Sequence, residues 1–116
     1  MKDRVEMLTE ADRQVSEKLK GHLLAHDGVR IRKVILYGSR AQGTATPDSD
    51  FDLLVVEADP VSKREEMQRL AKAVTGAGVS VHVWVMGELE FEETKGVIGG
   101  LAYPAEKYGV VLYENS

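Results

Sequence analysis

Two short patterns constrain this chain more than any other part of its sequence. Gly38-Ser39 ends a run of β-branched and aliphatic residues, and ten residues later Asp50-Phe51-Asp52 opens a second such run. Glycine lets the backbone bend with no Cβ in the way, and a helix starting at the serine would present free N–H groups beyond the strand. Residues two apart on a strand share one face, so Asp50 and Asp52 converge. The pattern predicts a strand, a tight turn and a second strand that starts near that turn.

The residue types on either side of this loop indicate its chemistry. Two carboxylates so close repel each other unless a cation lies between them, and Mg²⁺ prefers such hard oxygen ligands. We therefore interpret Asp50 and Asp52 as ligands of Mg²⁺, or of Mn²⁺, and Gly38, Ser39 and Arg40 as the part that holds phosphate. Taken separately, each half has a plain alternative, an ordinary turn and a polar strand start. Together they favour a site for a nucleoside triphosphate and a divalent metal.

Strands alternate with helices along the chain, which predicts an α/β (α+β) fold with a sheet covered mainly by helices. A helical N-terminal segment is expected at about residues 5–27, with apolar helical spacing from Leu8 to His26 and Thr9 as N-cap. Four strands are predicted, at Ile31–Tyr37, Asp50–Val56, Val79–Met86 and Val110–Tyr113. Helices are predicted at Pro60–Thr75 and Glu88–Val97, with one more turn at Pro104–Tyr108. The pattern leaves open whether the first two strands pair in parallel.

Composition bears on the compartment and the partners of the chain. Its 116 residues suit one domain, 1–116, and they carry a net charge of −4 and no cysteine. An acidic surface does not favour sequence-blind binding to nucleic acid, and without cysteine no disulfide or thiolate metal site can form. The N-terminus lacks a signal-peptide pattern, and no apolar run approaches membrane-spanning length. We expect a soluble, cytoplasmic protein that contacts neither membrane nor, as its main partner, nucleic acid.

The run GSRAQGTATPDSDFDLLVV resembles the signature of the minimal nucleotidyltransferases, small members of the DNA polymerase β-like superfamily. The likeness extends to GELEFEE and YGVVLYE, and so covers about Ile31 to Glu114. It implies a nucleotidyltransferase-like fold with a mixed four-stranded sheet. It also implies transfer of a nucleoside monophosphate from an NTP, ATP in the first instance, to a hydroxyl. By position, Gly38 and Ser39 would hold the triphosphate, and Asp50 and Asp52 would bind the metals.

One departure from the family pattern concerns catalysis. The family has a third acid on the next strand, but no Asp or Glu occurs between Glu66 and Glu88, and His82 takes the expected place. An imidazole can bind a divalent ion, although it suits softer metals than Mg²⁺, or it can act as a general base. The plain alternative is a strand histidine without a catalytic role. Trp84 shares the predicted face of His82; stacking on a base is one role open to it, and packing in the core between sheet and helices is the expected one.

The resemblance carries two functional hypotheses. The first is an active enzyme that attaches AMP or another NMP to a hydroxyl, with His82 as a third catalytic residue beside Asp50 and Asp52. The second is an antitoxin that neutralises a helical HEPN ribonuclease partner by forming a complex, with a degenerate site kept for binding. A third reading, a nucleotide sensor that does not turn over, is the least favoured. The sequence leaves open the base chosen, the acceptor and whether the chain forms a homo-oligomer.

Overall fold

The structure is a computed structural model that describes residues 8–115. The chain begins with a long helix and then alternates between strands and shorter helices. The helices are α1 (Glu10–Asp27), α2 (Ser39–Gln42), α3 (Lys63–Ala73), α4 (Glu88–Thr94) and α5 (Ala102–Tyr108), with a 3₁₀ turn at Thr75–Ala77. The strands are β1 (Ile31–Tyr37), β2 (Phe51–Glu57), β3 (Val81–Gly87) and β4 (Val110–Glu114).

The four strands form one mixed sheet in the order β3-β2-β1-β4. β1 pairs antiparallel with both β2 and β4, whereas β2 and β3 pair in parallel. The structure thus confirms the mixed four-stranded sheet covered by helices. It also answers the question that the sequence left open, since the short connection through α2 returns the chain antiparallel to β1.

Helices cover both faces of the sheet. Side chains alternate along each strand, so one set of apolar residues packs under α1 and α3 and the other under α4 and α5. Leu19, Leu23 and Leu70 close the first face, and Phe91 and Ala105 close the second. β2 is apolar and buried on both faces over Leu53–Val56, as its sequence predicts.

Several predicted boundaries moved by a few residues. Thr9 does cap α1, because its hydroxyl accepts a hydrogen bond from the Asp12 N–H at 3.1 Å. The predicted start of this helical segment near residue 5 lies outside the described residues. The helix predicted from Pro60 instead begins at Lys63, because the Asp59 carboxylate accepts from the Leu89 N–H at 2.9 Å and holds the preceding turn against α4.

The last two helices also differ from their predicted bounds. α4 ends at Thr94 rather than at Val97, and its last turn leads into a series of exposed turns. α5 begins two residues before the predicted turn at Pro104, and it tolerates the proline in its first turn. Among residues 8–115, no helix combines the length and the apolar character needed to cross a bilayer.

Candidate active site

The bend after β1 is built around Gly38. This residue has φ 78° and precedes α2, and its carbonyl accepts from the N–H groups of Ala41 at 3.1 Å and Gln42 at 3.2 Å. The N–H groups of Ser39 and Arg40 come first in the helix and therefore have no intrahelical acceptor. Gly43, with φ 76°, ends α2 in the left-handed conformation. A positive φ at both ends of one helical turn gives glycine a specific role at each position.

The second strand brings Asp52 directly against this bend. Asp52 pairs with Tyr37, the last residue of β1, in the antiparallel register. A Cβ added to Gly38 would lie 2.4 Å from the Asp52 Oδ2 atom. The absence of a side chain at Gly38 is thus what allows the carboxylate to approach the backbone of the turn. The predicted meeting of the glycine-serine bend with the acidic pair is present in the structure.

His82 completes this group from the neighbouring strand. The parallel register of β2 and β3 places His82 beside Asp52. The His82 Nδ1 atom lies 3.5 Å from Asp52 Oδ1, and its Nε2 atom lies 3.6 Å from Asp50 Oδ2. The side chains are 60% exposed for His82, 37% for Asp50 and 26% for Asp52, so the group opens to solvent. The three residues that the sequence predicts as catalytic thus lie close together, and their catalytic and metal-binding roles stay predictions.

The carboxylates differ in their electrostatic environment. Burial raises the pKa of Asp52, the charge on Asp50 raises it further, and His82 acts in the opposite direction. Burial, with a smaller contribution from Asp52, also raises the pKa of Tyr37 to about 12, so this phenol stays neutral at physiological pH. A raised carboxyl pKa means that the charged form lacks compensation in the protein alone. A bound cation would supply that compensation.

The potential metal-ligand atoms of Asp50, Asp52 and His82 do not all point to one common position. The two nitrogens of the His82 ring face different carboxylates, Nδ1 towards Asp52 and Nε2 towards Asp50. A protonated ring would therefore lie between two negative charges, in the region where a metal ion would neutralise them. A metal ion bound by Asp50 and Asp52 would compete with these contacts of the ring.

Arg40 makes hydrogen bonds to α1 and to the loop that leads to Asp50. Its guanidinium donates to the Asp12 carboxylate at 3.0 Å, to the Ser49 carbonyl at 2.9 and 3.2 Å, and to the Pro47 carbonyl at 3.3 Å. It also lies 4.5 Å from the centroid of the Phe51 ring. These contacts join α1, α2 and the loop that leads to Asp50. The role of Arg40 in holding phosphate stays a prediction, but its role in bracing the loop is visible.

We expect Arg40→Ala to lower the free energy of unfolding by about 2–3 kcal/mol, because it leaves the Asp12 carboxylate and two carbonyls without their donor. Both members of the Arg40–Asp12 pair are largely buried, with side chains 15% and 14% exposed, so solvent screens the pair little. Urea unfolding measures the change. Arg64→Ala, at an exposed position on α3, is the matched control and should change stability by less than about 0.5 kcal/mol. An Arg40→Ala protein as stable as this control would contradict the bracing role.

The prediction for Trp84 is wrong. It was expected to pack in the core, but it is 45% exposed on β3, an edge strand of the sheet. Trp84 lies on the face of the sheet that α4 and α5 cover. These helices pack around Phe91, however, and do not extend over the end of β3 that carries Trp84. Trp84 lies instead beside an open apolar groove between β3 and α3. This groove is lined by Val81, His82 and Val83 of β3 and by Met67 and Ala71 of α3.

The family of the chain follows from comparing its sequence with models of protein families. The sequence matches the model of the nucleotidyltransferase domain over residues 16–104. The chain belongs to the nucleotidyltransferase domain family. This match includes the bend at Gly38, both acids and His82, so the site described above lies within the nucleotidyltransferase core. Such domains use a nucleoside triphosphate together with a divalent metal.

Solved structures give the same fold. A candidate nucleotidyltransferase from Sulfolobus solfataricus superimposes with a TM-score of 0.63 and 18% identity, covering 88% of this chain and 79% of that one. A toxin–antitoxin structure with AMP-PNP gives 0.57 and 24%, covering 86% and 74%. A mutant of the toxin–antitoxin MntA–HpeT gives 0.59 and 20%, covering 86% and 73%. A comparison with curated proteins found no match.

Two residues that contact or adjoin the candidate site were not predicted from the sequence. Asp12, on α1, orients Arg40, and Tyr37 lies beside Asp52 at the end of β1. The position of Tyr37, immediately before the glycine bend, is a signal that could have identified it. The contact of Asp12 is 28 residues away in sequence and depends on how α1 packs, so no local pattern indicates it.

Proposed function

We propose that this nucleotidyltransferase domain transfers a nucleoside monophosphate, AMP, from ATP to a hydroxyl of a helical HEPN-type partner and thereby acts as its antitoxin. The observation that carries this proposal is the contact of Asp52 with the Gly38 bend, beside Asp50 and His82. Toxin–antitoxin structures among those that share the fold support a protein partner. The AMP-PNP in one of them supports an adenine nucleotide.

The donor set fits a hard divalent metal. Asp50 and Asp52 offer carboxylate oxygens on one face, and the raised pKa of Asp52 leaves that charge in need of a counter-ion. When bound there, Mg²⁺ or Mn²⁺ would stabilise the negative charge on the phosphoryl oxygens in an in-line displacement. Gly38 and Ser39 would orient the triphosphate through the first N–H groups of α2 and the serine hydroxyl. Arg40 keeps this loop in place.

The reaction replaces one phosphorus–oxygen bond by another. The acceptor hydroxyl oxygen attacks the α-phosphorus, the bond to pyrophosphate breaks, and the hydroxyl proton must leave. His82 is the exposed member of the group and is positioned to take that proton as the neutral imidazole. The chain itself offers an open site, so the partner would bring the acceptor hydroxyl to it.

A second function is favoured by one observation. His82 stands where the family has a third acid, and its nitrogens point to two different carboxylates rather than to one metal position. A site arranged in this way supports an antitoxin that binds nucleotide and partner but transfers slowly or not at all. Neutralisation would then follow from the complex alone.

Incubation with ATP labelled at the α-phosphate, with Mg²⁺ or Mn²⁺ and the co-purified partner, distinguishes the two functions. Label on the partner, together with release of pyrophosphate, supports transfer. Nucleotide binding and stable complex formation without label under either metal would support the second function. A protein that binds neither nucleotide nor a partner would contradict both.

We expect His82→Asp to shift the metal preference of the site from Mn²⁺ towards Mg²⁺. An imidazole suits softer ions than a carboxylate does, and a third oxygen ligand would strengthen Mg²⁺ binding. The ratio of transfer rates, or of nucleotide affinities, in Mg²⁺ and Mn²⁺ should change by about tenfold, equivalent to about 1.4 kcal/mol. His26→Asp, at an exposed position near the end of α1, serves as the control. An unchanged ratio would show that His82 does not act as a ligand.

A further inference from the structure

A second group of carboxylates lies at the other end of β2. Asp27 ends α1, Glu57 ends β2 and Glu66 lies in the first turns of α3. One carboxylate oxygen from each of the three lies within 4.8 Å of the others. Glu57 lies five residues beyond Asp52, and β-strand residues alternate faces, so the two groups lie on opposite faces of the sheet, about 17 Å apart along the strand.

Glu57 is the member that needs explanation. It is fully buried, at 0% exposure, and among residues 8–115 no N–H or hydroxyl donor reaches its carboxylate oxygens, which face the Glu66 carboxyl group instead. Burying an unpaired carboxylate costs several kcal/mol, so such a group takes up a proton, pairs with a cation or coordinates a metal. The side chain points from β2 into the space between α1 and α3, where the other two carboxylates lie. This arrangement resembles an incomplete ion site more than a structural salt bridge.

The neighbouring cations compensate the outer part of the cluster. Arg69 contacts the Asp27 carboxylate and donates to Glu66 at 2.7 Å, and its side chain is 40% exposed. The Arg30 guanidinium donates to the carbonyls of Ala58 and Pro60 instead of to Glu57. The three carboxylates therefore exceed the positive charge that contacts them directly, and the surplus is concentrated at the buried end.

We propose that Asp27, Glu57 and Glu66 bind a hard divalent cation, as a site separate from the one at Asp50 and Asp52. Carboxylate oxygens are the ligands that Ca²⁺ and Mg²⁺ prefer. The three oxygens lie within 4.8 Å of one another, so small side-chain movements would bring all of them onto one ion. Because the cation joins α1, β2 and α3, its role is to stabilise the fold, and the proposal does not depend on nucleotidyl transfer.

The test uses the full chain carrying Asp50→Asn and Asp52→Asn, so that a cation bound at the candidate active site does not contribute to the measured stability. Thermal unfolding is followed after chelator treatment, with CaCl₂, MgCl₂ or MnCl₂ added alone and ionic strength matched with NaCl. A cation at a hundred times its Kd should raise Tm by about 5–10 °C. Calorimetry should give one site per chain. The size of the Tm shift in each salt ranks the three ions.

Two further variants assign the shift to the cluster. Glu66→Gln should abolish it, whereas Glu65→Gln, at the adjacent exposed position, should retain it. Asp27→Asn provides a second removal if Glu66→Gln unfolds. The proposal is overturned if none of the three salts raises Tm up to 10 mM, since a proton shared within the cluster would then account for Glu57. It is also overturned if the shift persists in both Glu66→Gln and Asp27→Asn.

Discussion

Asp52→Asn is expected to lower the rate of nucleotidyl transfer about 10³-fold. Asp52 is the acid that contacts the Gly38 bend, so its loss removes a proposed metal ligand beside the position proposed for the triphosphate. Stabilisation by such a metal is worth several kcal/mol, and about 4 kcal/mol corresponds to three powers of ten in rate. The measurement is the initial rate of labelled AMP incorporation at saturating Mg²⁺ or Mn²⁺. In a protein that binds without transfer, metal-dependent nucleotide affinity replaces the rate as the readout.

The controls for this change separate chemistry from folding. Asp48→Asn alters an exposed aspartate of the same loop and should leave the rate within about twofold, because surface changes away from the site have small effects. Asp52→Asn itself should not destabilise the protein, since the raised pKa of Asp52 shows that its charge is unfavourable in the metal-free fold. Transfer by Asp52→Asn within tenfold of the parent would contradict the assignment of Asp52.

Glu57→Gln is expected to stabilise the metal-free protein at alkaline pH by an amount on the order of 3 kcal/mol relative to its effect at pH 5. Burial, together with the neighbouring carboxylates of Glu66 and Asp27, raises the pKa of Glu57 to about 8, and Arg30 opposes them. Arg69 faces the same cluster and pairs with Asp27 and Glu66. A neutral amide of the same shape has no charge to bury.

The sign of this pH dependence follows from proton binding. Between the unfolded pKa near 4.5 and the folded pKa near 8, the folded protein holds a proton on Glu57 that the unfolded chain releases. The free energy of unfolding therefore falls as pH rises through this window and levels off above it. Urea unfolding at pH 5 to 9 in the presence of chelator should show this slope for the parent and for Glu65→Gln. A Glu57→Gln protein with the parent's slope would place the titration elsewhere.

The sequence predicted the active-site group because local spacing determines it. The run of β-branched residues to Tyr37 predicted β1, and the two-residue period of a strand brought Asp50 and Asp52 together. The position of His82 required more, namely a parallel register between β2 and β3. The sequence did not predict that register; the family resemblance placed His82 beside the two acids, and the pairing of Asp52 with His82 brings them together.

Other features depend on tertiary packing that no local pattern encodes. Glu57 ends a strand whose sequence reads as apolar, and its companions lie on two helices, one of them thirty residues earlier in the chain. Trp84 looks like a core residue by type, but α4 and α5 do not extend over its end of the edge strand. The start of α3 at Lys63 follows from a hydrogen bond between Asp59 and Leu89, a contact across 30 residues.

The spacing of the two acids on β2 has a consequence for how this strand can vary. Asp52 and Glu57 are five residues apart, which is an odd number. Asp52 therefore lies on the face of the sheet with the candidate active site, and Glu57 lies on the opposite face, beneath α1 and α3. Inserting or deleting a single residue between them would turn both onto the same side. One of the acids would then be driven into an apolar layer with no counter-charge. We therefore expect β2 to tolerate insertions or deletions of two residues but not of one, whereas the loops at either end tolerate single-residue changes.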